Sequence, residues 1–242
     1  MDEDKQTFDT DAVRDMSHPM VLRDIVLVAL PIISLGAVGN IIGLSTMSGG
    51  AIINLGYVLA IIIGALILRR QGSGWRQIGL AKPASWPKTI FAGIGASIGA
   101  IAIFVLTQAI VIGVLIMLGI SPPEIDQSRF NPVEGNLPLL LLMIVLAWTT
   151  IAFGEELFYR AFLISRMVDH AGMSQKLAII VSAIIFACAH FAEGPIGILS
   201  NGSFALLFGW IYVKSGRNLW ITCIGHGLIN TFRFTLLYTG AM

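Results

Sequence analysis

Three stretches of this sequence contain no Asp, Glu, Lys or Arg: residues 25–68, 89–123 and 139–154. An uncharged apolar run of about 18 or more residues is typical of a transmembrane helix, because that length spans the hydrocarbon core and the helix satisfies its own backbone. Charged residues make up 12% of the chain, against about 25% in a soluble domain. The sequence therefore predicts an all-α fold, a polytopic transmembrane helical bundle.

The apolar runs predict about seven spans. A turn at Ser48-Gly49-Gly50 is predicted to separate the first two. We expect an exposed cytosolic segment at residues 1–24, a first group of spans with a cytosolic loop at 25–138, and a C-terminal membrane core at 139–242. The predicted spans are residues 25–47, 51–68, 89–120, 139–165, 177–191, 196–213 and 219–238.

The basic residues of the short loops predict the orientation. The loop 69–88 carries five Lys or Arg residues and no acid, whereas the loop 121–138 has one base and three acids. Short loops rich in Lys and Arg stay in the cytosol. We expect a multi-pass protein of the cell membrane with a cytosolic N-terminus. The formal net charge of +1 excludes the basic face that a nucleic-acid-binding protein needs.

The second half of the chain keeps ionisable residues inside its apolar runs. Glu155 and Glu156 follow a long uncharged stretch, and Arg160 lies four residues after Glu156. A carboxylate at the bilayer centre costs about 2.5–3.5 kcal/mol on insertion scales, so such a residue usually has a partner or a function. Residues four apart share a helix face. We expect Glu156 to pair with Arg160 and Glu155 to face another helix.

Two histidines and an asparagine lie in later spans. His190 follows Phe186 by one helical turn, and His226 precedes Asn230 by one turn. Counted at about 1.5 Å per residue from the predicted cytosolic boundaries, Glu155, His190 and His226 fall in the middle zone of the bilayer. We expect them to share one cavity that opens toward the cytosol.

This set of groups suits hydrolysis by direct attack of water. A carboxylate beside a neutral histidine activates water as a general base, and a second histidine with an asparagine amide supplies donors to an oxyanion. Zinc is the alternative, since two histidines and Glu155 form a known catalytic ligand set, although no His-Glu-x-x-His motif is present. Cys188 and Cys223 lie near the histidines but outside any nucleophile motif.

With these residues in place, the chain resembles the CAAX protease and bacteriocin-processing family, also called the CPBP or Abi family. The similarity covers about residues 139–234 and rests on three ordered motifs: Glu155-Glu156-x-x-x-Arg160, Phe186-x-x-x-His190 and His226-x-x-x-Asn230. The family implies an intramembrane glutamic-type endopeptidase whose eukaryotic members cleave prenylated CAAX proteins. It also implies that residues 139–242 are a catalytic core formed by spans four to seven.

The resemblance assigns roles to the motif residues. It implies that Glu155 and His190 act on the water and that His226 and Asn230 hold the oxyanion. Glu156 and Arg160 are then supporting residues, together with Phe186, and the resemblance leaves a metal requirement open. The expected partners are the lipid bilayer and a membrane-associated peptide or protein substrate.

Two other functions also fit these residues. A non-catalytic immunity or scaffold protein of the same family would keep the polar cluster for stability. A proton-coupled transporter would use intramembrane Glu and His as a relay, but the sequence has no internal repeat of the kind that many transporters have. The identity of the substrate and the oligomeric state are not encoded in these motifs.

Overall fold

The computed structural model describes residues 18–43, 47–123 and 128–241. These residues form seven long helical segments and no β-strand. Short π- or 3₁₀-helical turns occupy Arg76–Leu80, Ser128–Val133 and Phe191–Glu193. The long segments are α1 (His18–Gly43), α2 (Met47–Arg70), α3 (Trp86–Met117), α4 (Leu137–His170), α5 (Gln175–Ala189), α6 (Gly194–Lys214) and α7 (Leu219–Tyr238).

Five of these segments are long and apolar enough to cross a membrane. They lie in α1, α2, α3, α4 and α6. The helix α5 is apolar but only 15 residues long, and α7 is a 20-residue helix that carries the predicted histidine and asparagine. The structure thus confirms a multi-pass helical bundle, with a helix at each of the seven predicted positions and a membrane-spanning length and composition at five.

Two predicted boundaries at the N-terminal end are wrong. The helix α1 begins at His18, before the predicted start at residue 25. Asp24 is compatible with this helix because its buried carboxylate accepts hydrogen bonds from Arg23 and from Gln71, the residue that follows α2. The predicted turn Ser48-Gly49-Gly50 lies inside the first turn of α2, because small residues are common in membrane helices. Residues 44–46, between α1 and α2, lie outside the described residues.

Polar caps fix where three of the later helices begin. The side chain of Ser85 accepts a hydrogen bond from the backbone N–H of Lys88 at the start of α3, and Ser174 does the same for Leu177 at the start of α5. Asn218 accepts from the N–H of Trp220 and starts α7. Such caps satisfy N–H groups that have no partner in the first helical turn. The entry points of the helices that carry the histidines are therefore encoded locally.

The centre of the bundle is the second half of α4. Every residue from Glu156 to Ile164 is buried, and this stretch is wound as a π-helix rather than as a regular α-helix. Another π-helical turn, Ala147–Ile151, precedes Glu155 on the same segment. This part of α4 packs against α2, α5, α6 and α7. π-Helical turns inside α-helices are frequent at functional sites. Here one π-helical stretch begins at Glu156, and Glu155 ends the short α-helical piece between the two stretches.

The loop after α2 packs against α6 and against the residues just before α7, at one end of the bundle. The hydroxyl of Tyr212 on α6 donates to the carbonyl of Ile78, 2.8 Å away. Gly79 follows with φ of 129°, and a Cβ there would lie 2.9 Å from the carbonyl oxygen of Arg217. Only glycine fits this close approach, because a side chain would meet both backbone strain and a fixed carbonyl.

Candidate active site

The two glutamates and the arginine of the first motif lie in the middle of the bundle. Glu156 is fully buried and Arg160 is 1% exposed. The Arg160 Nη1 atom lies 3.3 Å from Glu156 Oε1. The ion pair predicted from the four-residue spacing is therefore present. Because neither side chain reaches water, each charge depends on its partners inside the protein.

Aromatic rings surround the guanidinium of Arg160. Its central carbon lies 4.7 Å from the ring centre of Phe186, 5.5 Å from that of Phe204 and 5.8 Å from that of Phe208. A cation over an aromatic face gains about 0.5–2 kcal/mol, most when both are desolvated. Phe186, predicted as a supporting residue, thus contacts the charge that supports Glu156.

His226 on α7 is the residue that joins both glutamates. Its Nδ1 lies 3.0 Å from Glu156 Oε1, and its Nε2 lies 3.8 Å from Glu155 Oε2. The imidazole is buried and packs edge-on against the ring of Phe204, with ring centres 4.9 Å apart. The contact between His226 and Glu156 does not follow from the sequence pattern, which sets only the spacing within each helix.

Glu155 faces α2 and α7, away from Arg160. Its side chain is about one-tenth exposed. Two buried tyrosines, Tyr57 on α2 and Tyr159 on α4, interact with this carboxylate, and they also interact with each other. Neither tyrosine was among the residues predicted for the site. Tyr159 lies within the first motif, whereas Tyr57 is a single polar aromatic in an apolar run and gave no signal in the sequence.

His190 lies just beyond the end of α5. Its Nδ1 is 2.8 Å from the carbonyl oxygen of Phe186, and the two rings lie with their centres 4.5 Å apart. Because a carbonyl oxygen only accepts, Nδ1 donates and the Nε2 of a neutral ring keeps its lone pair. Among the described residues no carboxylate lies within 4.0 Å of His190. His190 therefore reaches the charged cluster through Phe186 and not by direct contact.

Asn230 supplies an unpaired donor near the cluster. It lies one turn after His226 on α7, and its Nδ2 is buried without a hydrogen-bond partner in the described part of the chain. A buried donor left unpaired costs about 1–3 kcal/mol. A group of this kind is available to an acceptor that arrives with a substrate.

The position of α7 against α4 depends on a glycine next to His226. A Cβ at Gly227 would lie 2.7 Å from ring atoms of Trp148, so the indole packs directly on the helix backbone. The Trp148 Nε1 also donates to Thr231 Oγ1 over 2.9 Å. These two contacts hold the turn that carries His226 and Asn230 against the helix that carries the glutamates.

The hydrogen-bond partners also fix where the protons of His226 lie. Glu156 as a carboxylate only accepts, so Nδ1 of His226 carries a proton. A neutral ring then has no proton on Nε2, and Nε2 can donate only when His226 is an imidazolium.

The described residues contain no group of three His, Cys, Asp or Glu side chains arranged to hold a metal ion. We therefore derive no step through a metal. The zinc alternative stays a prediction that metal analysis has to test.

Two cavities, of about 390 and 500 Å³, lie away from the cluster of Glu155, Glu156 and His226. The first is lined by residues of α1 and the end of α2, and the second by the loop after α2 together with Trp86 and Trp220. The predicted cavity shared by Glu155, His190 and His226, with its opening to the cytosol, stays a prediction.

The fold and the site together define a class: a multi-pass helical membrane protein with a cluster of ionisable side chains buried inside its apolar bundle. Residues 137–232 match the Rce1-like family, described as type II CAAX prenyl endopeptidase Rce1-like. The match confirms the resemblance stated from the three motifs and places this segment in the CAAX protease family. All seven predicted site residues lie inside the matched segment. Comparisons with curated proteins and with solved structures gave no match.

Proposed function

We propose that this protein is an intramembrane glutamic-type endopeptidase that hydrolyses a peptide bond in a membrane-associated or prenylated, CAAX-type substrate. The observation that carries the proposal is the buried cluster in which His226 joins Glu155 and Glu156. One of these glutamates has a cationic partner in Arg160 and the other does not. The second carboxylate is therefore left for chemistry rather than for charge balance.

In the proposed reaction Glu155 is the general base. It takes one proton from a water molecule while His190, through the lone pair of Nε2, orients the same water. The remaining hydroxide forms a bond to the carbonyl carbon of the substrate. Glu155 then returns the proton to the amide nitrogen, the C–N bond breaks, and a carboxylic acid and an amine leave. This cycle needs no group other than water and the side chains of the site.

The oxyanion is held by donors from α7. Asn230 Nδ2 is buried and unpaired, and His226 contributes Nε2–H in its imidazolium form. The hydrogen bond between His226 Nδ1 and Glu156 fixes the orientation of the ring. Glu156 and Arg160 thus act indirectly, on the position of His226. One such oxyanion donor is worth about a hundredfold to a thousandfold in kcat.

The bilayer is the expected location of the reaction. We propose a cell-membrane protein with its N-terminus in the cytosol and a cytosolic entry to the site. The support is the loop after α2, whose bases Arg76 and Lys82 line the larger cavity beside Trp86 and Trp220. Tryptophan side chains are typical of either membrane interface, and an excess of Lys and Arg in a short loop is typical of the cytosolic side.

Substitution of Glu155 by Gln tests the proposed function. The exchange keeps the shape and removes the base, so processing of a farnesylated, internally quenched CAAX peptide should be abolished in proteoliposomes. Wild-type processing by a normally folded Glu155→Gln variant would contradict the mechanism. It would favour the competing function, a non-catalytic membrane partner in which the paired charges serve only to stabilise the bundle.

A further inference from the structure

The helix α2 lies outside the matched segment and outside the three motifs, yet it reaches the proposed base. Two contacts fix it against α4 at the level of Glu155. The hydroxyl of Thr150 donates to Asn54 Oδ1 over 2.6 Å. One turn further on both helices, a Cβ at Gly154 would lie 3.1 Å from the Cβ of Tyr57. The ring of Tyr57 therefore packs on the turn that begins Glu155.

The hydroxyl of Tyr57 has two polar neighbours in this position, the Glu155 carboxylate and the hydroxyl of Tyr159. The residue is 5% exposed, and Tyr159 is 2% exposed. An ionised carboxylate only accepts hydrogen bonds, whereas a phenol can donate one and accept others. The Tyr57 hydroxyl is therefore a neutral group beside Glu155 that can donate to the carboxylate, and α2 supplies it from a position packed on Gly154.

Tyr159 also lies between Glu155 and His190, the two residues that are proposed to act on the water. The ring of Tyr159 packs edge-on against Phe186, with centres 4.9 Å apart, and Phe186 packs against His190. Glu155 and His190 lie on different helices and do not pair directly. The group from α2 that reaches Glu155 is the hydroxyl of Tyr57, which carries no charge.

We propose that Tyr57 is a positioning residue for Glu155, supplied by the N-terminal half of the chain to a site that otherwise lies in the C-terminal half. This inference rests on the proposed function of Glu155 as the base. The charge of Glu155 is needed for proton transfer, so an arginine or lysine partner would weaken it as a base. A buried tyrosine hydroxyl can donate to the carboxylate and brings no charge of its own.

The test is the Tyr57→Phe variant, which removes one oxygen and keeps the ring that packs on Gly154. On the farnesylated quenched peptide in proteoliposomes we expect kcat to fall about tenfold to a hundredfold, with KM unchanged, because the misplaced base acts after binding. Tyr212→Phe is the matched control. It also removes a buried hydroxyl, which donates to the Ile78 carbonyl at a distance from the cluster, and its kcat should equal that of wild type.

A second readout does not depend on activity. The thermal midpoints of Tyr57→Phe, Glu155→Gln and the double variant in detergent should not add: the double variant should lose less than the sum of the two single losses. Additive losses would overturn the inference, and so would a wild-type kcat in Tyr57→Phe. Coupled midpoints in a protein that cleaves no peptide would count against the proposed function alone and leave the Tyr57–Glu155 contact standing.

Discussion

The substitution Glu156→Gln separates the charge of this residue from its shape. In the native protein Glu156 Oε1 lies 3.3 Å from Arg160 Nη1 and 3.0 Å from His226 Nδ1. Glutamine keeps an oxygen that accepts from His226, but it leaves the guanidinium of Arg160, 1% exposed, without an anion. Removal of one partner of a buried ion pair costs about 3–5 kcal/mol, so the free energy of unfolding should fall by about that amount.

Arg160→Met is the complementary change, because it keeps much of the packing against the phenylalanines and removes the charge. It should also reduce stability and abundance, since it leaves the Glu156 carboxylate with His226 alone. The double variant has neither buried charge, and we expect it to lose at least about 2 kcal/mol less than the sum of the single losses. Equilibrium unfolding in mixed micelles measures all three values.

Asp169→Asn provides the control for this cycle. It breaks an ion pair with Arg217 whose two side chains are 30% and 26% exposed, so its cost should stay below about 1 kcal/mol. The burial argument would be refuted if Glu156→Gln were as mild as this control. Additive losses in the double variant would refute the assignment of Arg160 as the partner of Glu156.

Three further predictions concern the same site. Asn230→Ala should lower kcat about a hundredfold to a thousandfold on the farnesylated peptide; an unchanged kcat would remove Asn230 from the oxyanion site. Gly227→Ala should cost about 1–3 kcal/mol of stability, because the new Cβ meets Trp148 in a packed core, whereas Gly95→Ala, with nothing within 4 Å, should be neutral. Metal analysis of the purified protein should find no stoichiometric zinc, and chelators should leave activity intact; loss of zinc together with activity would reassign the histidines as ligands.

The helices could be predicted from the sequence because lipid imposes a length and a composition on them. Uncharged runs of that length have few alternatives to a helix. The errors occurred where length and composition do not decide between a turn and a helix, or between an exposed and a buried position. The Ser48-Gly49-Gly50 stretch suggested a turn because in soluble proteins these residues favour turns, and Asp24 suggested an exposed position although Gln71 satisfies its carboxylate.

The site was predictable within each helix and not between helices. The pairing of Glu156 with Arg160 follows from a spacing of four residues, which a helix converts into a contact. The bond from His226 to Glu156 depends on how α7 is rotated against α4, which Gly227 and Trp148 decide through packing. The contribution of Tyr57 requires the docking of α2 on α4, and no local pattern in a uniformly apolar run encodes it.

The hydrogen bond between His226 and Glu156 joins residues 70 positions apart in the chain, and this separation has a consequence for biosynthesis. Ribosomes add about 5–20 residues per second, so α4 enters the membrane several seconds before α7 is complete. During that interval Glu156 has its partner Arg160 on the same helix, four residues away, but lacks the hydrogen bond from His226. The contact from α7 to Glu156 thus forms only after the helix that carries the glutamates has been in the membrane for several seconds.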